Sequence, residues 1–105
     1  MLQLATHNED FQPSEFLSLG VEVEVQLIDL ATLDLAPVSP RLLGSLGHPE
    51  VFKPEFYSTM LEMCSGVCRT VDQAERDLSA ACARLLEEAD RQGLGVAGVA
   101  SLGGF

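Results

Sequence analysis

Basic residues are scarce in this sequence. Six lysines and arginines stand against sixteen acids, a formal charge of −10. That balance excludes a surface made for nucleic-acid phosphates or for an anionic membrane, and it suits one that recruits metal ions or cationic groups. Cysteines number three, Cys64, Cys68 and Cys82. The odd count without CxxC spacing argues against a disulfide framework and against a zinc centre. The two histidines, His7 and His48, stand far apart in the sequence and read as surface residues. No P-loop, GxGxxG, HExxH or nucleophile elbow occurs. The opening MLQLATHNEDF lacks the basic and apolar regions of a signal peptide. The longest uncharged run, QGLGVAGVASLGGF, is too short and too glycine-rich to span a bilayer. A cytoplasmic protein without nucleic-acid or membrane partners is expected.

What remains is a globular composition. The chain has 105 residues, 47% apolar and 21% charged, enough for one small domain with a real core. Residues 1–15 are polar and unpatterned around Pro13 and read as a flexible leader; residues 16–105 carry the domain. From Phe16 to Asp29 the apolar period is two. Leu17, Leu19, Val21, Val23, Val25 and Leu27 share one face, and Ser18, Gly20, Glu22, Glu24 and Gln26 share the other. DLATLDLAP then predicts a turn and a short return strand ending at Pro37. SPRLLGSLG predicts one or two helical turns, with Ser39 as cap and Pro40 at the first helical position. A second long strand is expected over about Glu55 to Cys64, with Phe56, Met60 and Cys64 keeping the acidic side of the sheet from being simply wet.

The plainest helical signal follows. Thr70 and Gln73 have capping-box spacing, and Asp72, Glu75 and Asp77 suit the positive end of a helix dipole. Val71, Ala74, Leu78, Ala81, Cys82, Leu85 and Ala89 form an apolar stripe at helical spacing, and Gly93 supplies a stop. LGVAGVA resumes as a strand. The expected architecture is α+β: a mainly antiparallel sheet with a long helix packed on the face opposite the glutamates.

Glu22 and Glu24, two apart on a strand, project to one side about 6.5 to 7 Å apart. A pair of this kind can bracket divalent cations, since Mg²⁺ takes a few carboxylate oxygens and completes its shell with water and phosphate. Glu55 and Glu62 lie on the next strand pattern and could add ligands. Glu62, between Leu61 and Met63, is the harder to explain as a mere surface residue, because acids in apolar strand settings are usually paired or functional. By spacing alone a solvated outer face is the commoner reason for alternating glutamates such as Glu22 and Glu24, and Glu55 after Pro54 reads most simply as a loop residue.

The block GVEVEVQLID, followed by KPEFYSTMLEMCSGVCRTV and then an acid-capped helix, resembles the N-terminal part of the glutamate–cysteine ligase family 2 proteins, also called YbdK-type carboxylate–amine ligases. The likeness runs from about Phe16 to Ala100. It implies part of a glutamine-synthetase-like fold, and an ATP-dependent ligase that phosphorylates the γ-carboxyl of glutamate before the amine of cysteine, or a related amine, attacks. It further implies that Glu22, Glu24, Glu55 and Glu62 hold Mg²⁺ (or Mn²⁺) with ATP, and that Ser65, where the family usually has threonine, lies near the substrate. There are departures. The family's A-G-T-H-P-F stretch is Ala97-Gly98-Val99-Ala100-Ser101-Leu102 here, without the histidine. The usual asparagine before Ser65 is Cys64. Family members are several times longer, so negligible turnover by the 105 residues alone is expected. The alternative is a non-catalytic α+β module or split subunit that works by self-association, or by pairing with a partner chain, through an open sheet edge.

Overall fold

The computed structural model describes residues 18–104; the leader expected over residues 1–15 lies outside them. β1 (Leu19–Asp29), α1 (Ser39–Leu46), β2 (Phe52–Pro54), β3 (Met60–Cys64), α2 (Val71–Arg91) and β4 (Leu94–Gly104) follow in that order. The four strands form one sheet, β2-β3-β1-β4, and each neighbouring pair is antiparallel. The expected α+β class, with one long helix on a mainly antiparallel sheet, is what the chain adopts.

β1 is central because its alternation lets it bury one side. Leu19, Val21, Val25 and Leu27 are buried and Val23 half-buried, whereas Glu22, Glu24 and Gln26 are exposed. β4 pairs with β1 along its whole length, from Leu19↔Gly104 to Asp29↔Leu94. Beyond Asp29 the return strand shrinks to one bridge, Ile28↔Leu35. Its turn is set by the Asp29 carboxylate, which accepts from the backbone N–H groups of Ala31 and Thr32 at 2.8 and 3.3 Å.

Two expectations need correction. The single strand expected over Glu55–Cys64 is instead a loop at residues 55–59 followed by β3, with β2 ending before it at Pro54. Pro54 has no N–H to continue the ladder past its partner Leu61, and the chain turns so that Met60 N–H reaches Tyr57 O at 3.1 Å. Phe56 therefore leaves the sheet: it is 89% exposed in the loop, edge-on to Tyr57. Ser39 is not the cap of α1 but its first residue. It is buried with its N–H on Ser58 O at 2.9 Å, and Val38 takes the cap position without a side-chain bond. Pro40 does fall in the first turn.

α2 behaves as its pattern predicts. Thr70 Oγ1 accepts from Gln73 N–H at 3.1 Å, and the Gln73 amide oxygen accepts from Arg69 N–H at 2.7 Å. The second bond reaches one residue further back than an ideal capping box. Gly93, with φ +74°, turns the chain from the helix into β4. Ala74, Ala81, Leu85 and Ala89 are buried, Leu78 and Cys82 half-buried, and only Val71 of the expected stripe is exposed. The larger core joins Val25, Leu27, Leu61 and Met63 of the sheet to Leu42 and Leu46 of α1 and Leu85 of α2. A smaller one joins Leu19, Val21, Cys68 and Ala74, and Leu78 packs against both. With that side filled by helices, the carboxylate side of the sheet is left as an open face.

Candidate metal-binding face of the sheet

Strand parity places Glu22, Glu24 and Gln26 on the open face, and the register decides what they meet. Across β1–β3, Glu22 pairs with Cys64, Glu24 with Glu62 and Gln26 with Met60. On the far side of β3, Glu62 pairs with Lys53 of β2. Glu62 is thus the middle of a row, Glu24–Glu62–Lys53, with one carboxylate and one ammonium as neighbours.

Oxygen and sulfur atoms of Glu22, Glu62 and Cys64 all come within 4.8 Å of one another. Two of the four expected acids therefore converge. Glu24 stands across from Glu62 but outside this trio. Glu55 lies one residue past β2, half-buried in the loop, where its carboxylate accepts from Phe56 N–H at 3.4 Å. The Cys64 thiol donates to Glu62 Oε1 at 3.5 Å. Burial, then the hydrogen bond and negative charge of Glu62, push its pKa up to about 11; Glu22 adds to this and Lys53 works against it. The sulfur is a neutral thiol at pH 7, so the anionic donors of the trio are the two carboxylates.

Beside the trio is a small cavity of about 160 Å³, bounded by Gly20, Glu22, Lys53, Cys64 and Ser65 among others. The Ser65 hydroxyl lines it but is already engaged. It accepts from Val21 N–H at 2.9 Å and donates to Gly66 O at 2.8 Å. Lys53 is a member of this face that sequence reasoning did not single out, and Cys64, expected on this side only as a residue that keeps it from being wet, joins the two carboxylates in the trio. The signal available was parity: Cys64 is two residues after Glu62, and Lys53 two before Glu55.

Chemically, two carboxylates with room for water fit a hard cation that keeps part of its hydration shell, and a neighbouring ammonium suits phosphate oxygens. Among the described residues no helix is long and apolar enough to cross a membrane.

Comparison with known proteins places this face in context. A family model described as glutamate-cysteine ligase family 2 matches residues 18–103. A protein of Ralstonia pickettii named "Putative glutamate--cysteine ligase 2" is 38% identical over 93 residues, 86% of this chain and 25% of its own length. Proteins of the same name from Gloeobacter violaceus and Thermobifida fusca are 45% identical over 73 residues and 36% over 95. They are covered to 20% and 24% of their lengths, by 66% and 84% of this chain. The chain thus spans about a quarter or less of these curated relatives.

Proposed function

The chain belongs to the glutamate–cysteine ligase family 2, and on that premise we propose that its sheet carries part of the Mg²⁺–ATP site of an ATP-dependent carboxylate–amine ligase with a glutamine-synthetase-like fold. The substrates in this reading are ATP, glutamate and a small amine such as cysteine. The observation that carries it is the convergence of Glu22 and Glu62, from two separate sequence motifs, on one open face. Glu22 and Glu62 hold the cation, Glu24 adds a carboxylate at its flank, and Glu55 approaches from the loop after β2. When bound, Mg²⁺ neutralises charge on the phosphates during transfer to the γ-carboxyl. The chain's own groups bind and orient. Lys53 offers an ammonium to a phosphate oxygen, and the backbone around Gly20 and Ser65 shapes the small cavity.

Glu22 and Glu24 are exposed, so the face lacks the enclosed, pre-organised surroundings that phosphoryl transfer needs. The 105-residue protein alone therefore binds Mg²⁺ weakly and turns over negligibly. Titration with Mn²⁺, read by calorimetry, tests the site: wild type responds and Glu62→Gln does not. Equal responses, or none in either protein, remove the metal reading. ADP release dependent on both ATP and glutamate would contradict the negligible turnover.

A second reading rests on β4. It ends the sheet, its outer edge meets no described strand, and its eleven residues carry no charge. Charges are the usual protection of an open edge, and without them a second chain can add a strand. A discrete dimer in solution favours this association role; a monomer removes it.

A further inference from the structure

Helix α2 carries a second concavity, formed with β2 and the turn after α1, which borders the small cavity beside the carboxylates at Cys64 and Gly66. It holds about 400 Å³, within the range of small-molecule sites. Its floor is apolar: Phe52 and Ala81 are buried and Val51 half-buried. Space exists there because Ala80 and Ala81 present only methyl groups on the α2 surface.

Arg76 and Arg84 stand at the rim, two helical turns apart, roughly 12 Å along the axis. They bracket the two alanines. In a protein of charge −10, with six basic residues, two line this one hollow. Neither makes an ion pair among the described residues; the ion pairs found there belong to Arg91. Arg84 donates to Leu46 O, which fixes its position and leaves further N–H groups available. His48, at φ +52° in the turn after α1, faces the same space. The one acid at the rim, Asp77, is occupied by Gly66 N–H at 2.9 Å and the Cys68 thiol at 3.5 Å.

We infer that this groove is a binding site for a small amphipathic anion, an aromatic or aliphatic body bearing one carboxylate or phosphate. The body covers Phe52 and Ala81, and the anionic group lies between the Arg76 and Arg84 guanidinium groups. The site borders the carboxylate face at Cys64 and Gly66, but its recognition rests on Arg76, Arg84 and the apolar floor and does not depend on the metal reading.

The test is a ¹H–¹⁵N titration of the folded 105-residue protein with 2-naphthoate, repeated with the neutral alcohol 2-naphthalenemethanol. Saturable shifts at Val51, Ala80 and Ala81 are expected with naphthoate. Affinity should fall roughly tenfold for the alcohol and for Arg76→Gln, the loss of about one charge-assisted hydrogen bond. Arg76→Lys, which keeps the charge, should retain most of it. Equal affinity for acid and alcohol would reduce the groove to a nonspecific apolar hollow and overturn the inference. So would an unchanged affinity in Arg76→Gln, an absence of saturable shifts, or contacts from another part of the same chain already filling the space over Ala80.

Discussion

Glu24 stands directly opposite Glu62 across the β1–β3 ladder. Like charges in that relation oppose sheet formation by about 0.2–1 kcal/mol, and Lys53 on the other side of Glu62 offsets part of this. Glu24→Gln is therefore expected to stabilise the protein in chelator, raising the thermal midpoint by up to about 4–8 °C per kcal/mol gained. Adding Mn²⁺ should narrow the gap, since the cation removes the repulsion only where both acids are present. A variant no more stable than wild type in chelator would mean the two carboxylates are too well solvated to repel.

The Cys64 thiol gives a pH prediction. Its pKa is pushed up to about 11 from an ordinary value of 9.0, first by burial and then by Glu62. The native state thus keeps a proton that the unfolded chain gives up sooner. The associated stability is complete below the unfolded pKa and is lost as pH rises through about 11. Two measurements follow. Chemical stability should decline between about pH 8.5 and 11, and less steeply in Cys64→Ala. Alkylation of Cys64 at pH 8.5 should be slow and should accelerate in Glu62→Gln, read by mass spectrometry of the labelled peptide. If Glu62→Gln leaves the rate unchanged, the carboxylate is not what holds the proton.

Cys68 is buried too, and its pKa is raised by burial first and then by the hydrogen bond and charge of Asp77. Asp77→Asn removes that charge from the rim of the α2 groove. It is expected to speed alkylation of Cys68 and to leave that of Cys82 alone. Both cysteines accelerating together would indicate general loosening of the fold.

The cap of α2 offers a stability test away from either site. Thr70→Ala removes the bond to Gln73 N–H and should cost about 0.5–2 kcal/mol, whereas Thr70→Ser should cost little. Urea denaturation distinguishes them. A similar loss for both would point to the threonine methyl and not to the hydroxyl.

How much of this was legible in the sequence depends on how local each signal is. β1 and α2 announce themselves because alternation and the 3.6-residue stripe sit within one stretch of chain, and the Thr70–Gln73 cap spans four residues. Of the loop at 55–59 only Glu55 after Pro54 shows in the sequence, because Lys53, Glu55 and Tyr57 continue an apparent alternation straight through Pro54, the residue that ends the ladder. Glu22 and Glu62 could be suspected separately, but Cys64 joining them depends on the register between strands forty residues apart in sequence. The α2 groove draws on α2, β2 and the turn after α1 together, and no single stretch encodes it.

Ser65 has a consequence for how the chain leaves the sheet. Its backbone N–H bonds Val21 O at 2.9 Å while its hydroxyl receives Val21 N–H. One residue thereby does with a side chain and one amide what a strand partner does with two backbone groups. The chain is released from β3 early and can rise toward α2 without leaving a bare amide on β1. The demand is for a hydroxyl on a short stem, which threonine also meets and alanine does not. Variation at this position is thus constrained by the departure of the backbone before any substrate is considered.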